Sequence, residues 1–290
     1  MNVTFLGVRG STLALGPEFA RYGGHTSCVA VGHAGQAPSL LLDAGTGLRS
    51  LPSLLGDAPF RGALLLTHLH WDHLQGLPFC SSLDCADADV RLFLPEQDGT
   101  AREVLSRMMS PPFFPIAPDG LKGAWSFRSL EESTVELDGF EVTACEVPHP
   151  GGRTFGYRVS DGRSSVAYIP DHQPTAAGWG PEGWGHYDDR VLDLVAGADL
   201  LVHDAQFSSD ELAAFHHWGH SSADYAVSLG RRGGARRVAL FHHAPGRSDA
   251  EVDRLVAAAR RPDIDVFGAA QDATVELPAP AGVSSPTRTA

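Results

Sequence analysis

Residues 64–78 read LLLTHLHWDHLQGLP, an apolar run ending at Thr67 and then His68, His70, Asp72 and His73 within six positions. Consecutive aliphatic residues bounded by turn-forming ones suit a short strand buried on both faces. Polar side chains crowded at its end need a partner, and imidazole and carboxylate are the groups that bind zinc and similar divalent cations. In an extended chain side chains alternate, so His68, His70 and Asp72 are expected on one side, with a tight turn after Asp72 bringing His73 round. A catalytic zinc usually takes three protein ligands. Four in six residues suit two ions sharing the loop, as in two-metal hydrolases. The plainer reading, a solvated polar loop, leaves further histidines at other strand ends unexplained.

Those further groups complete a donor set. His149 follows the run FEVTACEVP, Asp171 follows SSVAYIP, and RRVALF ends in His242 and His243. If Val238 and Leu240 face inward, alternation turns His242 inward as well and His243 away. A bulge would reverse that choice; His242 is the expected ligand. Cys28, Cys80, Cys85 and Cys145 form neither a CxxC pair nor a regular framework, and are read as small core residues or free thiols rather than ligands.

The rest of the chain supplies a frame. Short apolar runs bounded by Gly, Pro, Asp or Ser recur (VTFLGV, SCVAVG, SLLLDAG, VRLFLP, FGYRVS, ADLLVHDA), and helical patterns fall among them (TAREVLSRMM, DRVLDLVAGA, SDELAAFHH, SADYAVSLGRR, DAEVDRLVAAARR). The mixture predicts a layered α/β protein, one domain over residues 1–277, with a disordered Pro/Ser/Thr tail at 278–290. The segment MMSPPFFPIAPDGLKGAW, residues 108–125, reads equally as a surface loop or a flap over a pocket. A net charge of −13 argues against a surface built to grip a nucleic-acid backbone. The start of the chain has no basic and apolar leader pattern and no run is long enough to span a membrane, so the expected location is the cytoplasm.

HLHWDH, followed by a lone His, a lone Asp after a strand, and a strand-end His near the C-terminus, resembles the metallo-β-lactamase superfamily in order and spacing. GVRGST, YGGHTSC, LLLDAGTGLR, LVHDAQF and GHSSADYA resemble its ribonuclease Z and cyclic-nucleotide phosphodiesterase branch. The resemblance implies a four-layer αββα sandwich with a dinuclear site at one edge. In that scheme His68, His70 and His149 hold the first metal, Asp72, His73 and His242 the second, and Asp171 bridges. The ions would be zinc first, with manganese or iron as alternatives. His220, in an HS[ST]-like motif, would contact phosphate and protonate the leaving group, and Asp204 would support it. The implied activity is hydrolysis of a small or cyclic phosphodiester by a hydroxide that two metals generate and Asp72 orients. A thioester or lactone hydrolase on the same scaffold is the alternative, and a metal-binding sensor without turnover a second one. A homodimer is also an expectation of the resemblance.

Departures from the branch bear on substrate. Ribonuclease Z carries a long arm for tRNA between the positions matching His149 and Asp171, and here Asp171 follows His149 by only 22 positions. With the acidic charge, this predicts no tRNA partner. His25 and Pro148 stand where relatives often have Asn. Several other residues have a plainer role beside the functional one. His220 could lie next to a helix N-cap at Ser221 or Ser222. Asp204 could cap a turn, and Asp43 could steady a turn or orient histidine ligands. His203 is expected to support a ligand, His172 to flank the pocket, and His216 and His217 to sit on a helix end.

Overall fold

The computed structural model describes residues 1–277; the tail expected at 278–290 lies outside them. In chain order the strands are β1 (Asn2–Gly7), β2 (Cys28–Gly32), β3 (Leu40–Leu42), β4 (Arg61–Leu65), β5 (Asp89–Pro95) and β6 (Ala124–Leu130), then β7 (Ser133–Leu137), β8 (Phe140–Glu146), β9 (Phe155–Ser160), β10 (Ser165–Ile169), β11 (Leu200–Asp204), β12 (Arg237–Phe241), β13 (Asp265–Gly268) and β14 (Thr274–Glu276). They form two seven-stranded sheets, ordered β14-β1-β2-β3-β4-β5-β6 and β13-β12-β11-β10-β9-β8-β7. The helices are α1 (Leu51–Leu55), α2 (Ala101–Ser106), α3 (Asp189–Val195), α4 (Ser209–Phe215), α5 (Ala223–Gly233) and α6 (Asp249–Ala259).

The aliphatic run before the histidines shows why the layers form. Ala63 and Leu65 of β4 point between the sheets, into a core with Phe5, Val31, Leu42, Val142, Tyr157, Tyr168 and Phe241. Leu64 and Leu66 point the other way, onto Leu48, Leu51, Leu74, Leu77 and Leu105. Every position of such a strand is covered, which is why it carries no polar alternation. Each fully buried leucine contributes about 1.5–3 kcal/mol of transfer free energy. On the far side, α3, α5 and α6 pack Val191, Leu194, Tyr225, Leu229, Val252 and Val256 against Ala167, Leu201, Val238 and Leu240 of the second sheet. The four layers are the αββα sandwich that the resemblance implies.

Strands β6, β7, β13 and β14 and helix α1 are absent from the sequence reading. β6 and β7 are edge strands bearing Arg128, Ser129, Glu136 and other half-covered or exposed residues, so they lack the apolar signature of the central strands. Three of the expected helices begin at a capping box: Thr100 with Glu103, Ser208 with Glu211, and Ser248 with Glu251.

Strand direction gathers the polar groups. β3, β4 and β5 run parallel, as do β10, β11 and β12. β8 and β10 are each antiparallel to β9 between them, so β8 shares the direction of β10. Asp43, His68, His149, Asp171, Asp204 and His242 all lie at or just beyond the carboxyl ends of these like-directed strands. Ligand sites of α/β sheets form at such ends.

Candidate metal centre

The loop after β4 reaches the site by a route other than an extended chain. β4 ends at Leu65 and Trp71–His73 form a 3-10 turn, so the turn begins one residue before Asp72 rather than after it. The turn is needed because Asp72 and His73, adjacent in sequence, both enter the same buried cluster. In an extended chain they would face opposite ways. Two groups of donors result. His68, His70, His149 and Asp171 present ligand atoms within 4.8 Å of one another, as do Asp72, His73 and His242.

Asp171 stands between the groups. Its Oδ2 is 3.4 Å from His149 Nε2 and 3.7 Å from His68 Nε2, while Oδ1 is 3.0 Å from His73 Nε2 and 3.1 Å from His242 Nε2. Asp72 Oδ2 lies 3.3 Å from His73 Nε2 and 3.2 Å from His242 Nε2. The Ser11 backbone N–H donates to the same Asp72 oxygen at 2.7 Å.

Three of the histidines are tied down at the ring nitrogen that faces away from the cluster. His149 Nδ1–H donates to the Gly219 carbonyl at 2.7 Å, and His73 Nδ1–H to Asp43 Oδ2 at 2.8 Å. His68 Nδ1 lies 3.1 Å from Thr67 Oγ1, whose hydroxyl donates to Asp43 at 3.0 Å. Tyr168 OH donates to Asp43 Oδ2 at 2.8 Å. Asp43 thus orients two histidines, one directly and one through Thr67, and bonding at Nδ1 leaves each Nε2 lone pair toward the cluster. Gly219, at the end of α4 and its 3-10 extension, has φ 94°; a Cβ there would meet Pro150 Cδ at 2.4 Å. Only glycine brings that carbonyl to His149 without strain.

The donor set fits a cation. His68 Nε2, His73 Nε2 and Asp171 Oδ1 are buried with no hydrogen-bond partner. Such orphaned atoms are costly unless something binds them. Burial pushes the pKa values of His68, His70 and His149 down, favouring the neutral imidazole, the form that can bind a cation. Burial alone would raise Asp171 and Asp72, but the surrounding histidines hold both well below the ordinary carboxylate range. Burial likewise opposes charge on His73, yet Asp171, Asp72 and Asp43 push it well above its usual value. The carboxylates therefore favour positive charge at their centre.

His220 lies beside this set, grouped with Asp171 and His242. Its Nδ1–H donates to Asp204 Oδ2 at 3.0 Å. Burial would lower its pKa, but Asp204 outweighs that and raises it to about 9. Asp204 also accepts the backbone N–H groups of His172, Gln206 and Ser221, so it braces the loops and the histidine together. The N-cap of α5 is Ser222, next but one to His220.

The groups read from the sequence as metal ligands or catalytic residues all come together here. The reason given for His242 is corrected: Val238 and Leu240 face the helix layer, and Ala239 and Phe241 face the other sheet. His242 reaches the cluster because its backbone turns left-handed, with φ 57°, breaking the alternation. His243 Nε2–H donates to the Ala269 carbonyl at 2.9 Å, and the ring packs against Tyr22. His203 Nε2 contacts His172 Nδ1 at 3.1 Å, so this buried pair lies behind the ligands rather than among them. His216 and His217 form the 3-10 turn after α4. All four cysteines are free and none belongs to a donor group. The sequence reading passed over Thr67, Tyr168 and the Gly219 carbonyl. A lone hydroxyl inside the apolar run SVAYI is the single hint of Tyr168; the carbonyl leaves none.

Residues 39–243 match a family model described as a beta-lactamase superfamily domain. A protein named ribonuclease Z from Natronomonas pharaonis is 26% identical over 83% of this chain and 86% of its own length. The crystal structure of a diphosphatase from the PhnP family superposes with a TM-score of 0.68 at 19% identity, covering 96% of this chain and 98% of that one. The short form of human tRNase Z superposes with a TM-score of 0.62 at 20% identity, covering 96% and 100%.

Proposed function

The chain belongs to the β-lactamase superfamily, and on that premise we propose that it is a dinuclear metal-dependent phosphodiesterase acting on a small or cyclic phosphodiester. The observation that carries the reading is Asp171 with one oxygen toward each donor group, beside a histidine braced by a carboxylate. His68, His70 and His149 would hold one cation, Asp72, His73 and His242 the other, and Asp171 both; zinc suits these donors, as do manganese and iron. Such cations supply a nucleophile at neutral pH and neutralise charge on the phosphoryl group.

The chain's own residues supply the rest. Asp72, fixed by the Ser11 N–H, orients the attacking water. His220, its Nδ1–H held by Asp204, keeps Nε2–H free to give a proton to the departing alkoxide oxygen. Asp43, Thr67 and Tyr168 keep the ligand rings in register.

A relative named ribonuclease Z favours a second reading, cleavage of an RNA strand. Against a large RNA stand the net charge of −13 and the interval between His149 and Asp171, which is taken up by β9, a turn and β10. The deciding experiment is hydrolysis of bis(p-nitrophenyl) phosphate, a thioester and a 3′-extended tRNA transcript by protein loaded with zinc or manganese. Diester turnover abolished in Asp72→Ala and slowed about 10²–10⁴-fold in His220→Ala supports the proposal. Thioester cleavage indifferent to His220 would sink the substrate class, and efficient trimming of the transcript would favour the second reading. Metal binding without turnover of any substrate would point to a sensor.

A further inference from the structure

A cleft of about 420 Å³ opens beside the donor cluster, between the HLHWDH loop and α2 with the Pro-rich segment behind it. Its walls are mainly apolar: Leu69, Trp71 and Leu74 on one side, Val104, Met108 and Phe113 on the other. Trp71 is 73% exposed and Phe113 79%, so two large aromatic faces stand uncovered at its mouth. Two polar groups break the apolar lining. Gln97 donates its Nε2–H to the Arg153 carbonyl, and Arg107 donates one Nη2–H to the Asp98 carbonyl. These bonds fix each side chain while leaving the Gln97 Oε1 acceptor and further guanidinium donors for a ligand.

The cleft and the cluster share a wall. Gly151 lines the cleft, and a Cβ on it would lie 2.5 Å from His70 Nε2. The rings then step from His70 to His149, 5.0 Å between centroids, and from His149 to His220, 5.5 Å. The cleft thus adjoins His70, and His220 is two ring contacts away from it by way of His149. An acyclic phosphodiester would carry its leaving group at His220 and its retained group toward the cleft; in a cyclic one a single organic group carries both ester oxygens and would itself reach the cleft.

Resting on the phosphodiesterase reading, we propose that this cleft binds the retained organic group of the substrate, a flat heteroaromatic ring of nucleobase size, stacked at Trp71 and Phe113 with its polar edge at Gln97 and Arg107. Stacking on exposed aromatic faces suits any flat ring, and an amide acceptor beside guanidinium donors reads a mixed hydrogen-bonding edge. An apolar cleft of this size with a few fixed polar groups is typical of small-ligand recognition. The role given to residues 108–125 is then to supply one wall of that cleft.

The test uses two diesters with the same leaving group, thymidine 5′-(p-nitrophenyl phosphate) and methyl p-nitrophenyl phosphate, on the metal-loaded full chain. Phe113→Ala and Arg107→Gln should each lower kcat/KM for the thymidine ester about tenfold, chiefly through KM, and leave the methyl ester within about twofold. Thymidine should also quench tryptophan fluorescence of the wild type, and less so in Trp71→Phe, an outcome independent of turnover. Equal losses on both esters, or none on either, overturn the proposal while leaving the phosphodiesterase reading intact. A shift of oligomeric state in Phe113→Ala with unchanged kinetics would make the cleft a contact between copies and overturn it too. If wild type cleaves neither ester, the functional reading itself has failed.

Discussion

The two sheets deliver their donors to the centre in different ways. The first sheet contributes one continuous loop, with His68, His70, Asp72 and His73 packed into six residues after β4. The second contributes single residues from separate strand ends: His149 after β8, Asp171 after β10 and His242 after β12, with Asp204 at the end of β11 bracing His220. A loop containing a 3-10 turn can aim four side chains at one point. A strand end aims one, so the second sheet assembles its share from several like-directed strands, β10, β11 and β12 side by side and β8 beyond the antiparallel β9. The loop's donors are accordingly close in sequence, and two of them, His68 and His73, are braced by one hub, Asp43, whereas the strand-end His149 leans on the Gly219 carbonyl.

The comparison breaks most severely at Asp171, the one strand-end residue facing both donor groups. Asp171→Ala should remove more than about 10³-fold of hydrolytic activity and reduce bound metal, read by elemental analysis of dialysed protein. Full metal content in that variant would show that the loop needs no bridging carboxylate. At the hub, Asp43→Asn keeps the size but weakens the bond from His73 and the link through Thr67 to His68. A loss of about 10–100-fold in metal affinity is expected, measured by competition with a chromophoric chelator. An unchanged affinity would mean that packing alone orients the loop.

The smallest effect concerns the strand-end pair His220–Asp204 in metal-free protein. Burial lowers the folded-state pKa of His220, but Asp204, helped by Asp171 and Asp72, raises it to about 9, above its ordinary 6.5. Its contribution to stability is therefore fully present below pH 6.5 and lost as pH rises through about 9. The Tm difference between wild type and His220→Gln, both stripped of metal, should shrink from pH 6.5 to 9. A difference constant with pH would show that the pair is not charged in the folded protein.

Much of this arrangement was legible in one dimension. Apolar runs doubly covered in the fold, such as LLL before Thr67, carry a signal strong enough to name the central strands. The donors stand out because histidines and aspartates at strand ends are costly without a partner. Edge strands β6 and β7 were not legible, since one covered face leaves a mixed composition. His242 was chosen on an alternation that the chain does not follow: its inward turn comes from a left-handed backbone, which no pattern of side-chain types encodes.

The amino-acid sequence by itself determined the layered α/β class and showed histidines and aspartates crowded at strand ends, a chemistry suited to a divalent cation, because residue chemistry and hydrophobic period are local properties. Only the tertiary structure decided that Asp171 faces both groups, that Asp43 braces His73 directly and His68 through Thr67, and that an aromatic cleft adjoins His70. Each of these depends on atoms from strands and loops distant in sequence meeting within a few ångströms. That meeting is set by strand direction and by packing between the sheets.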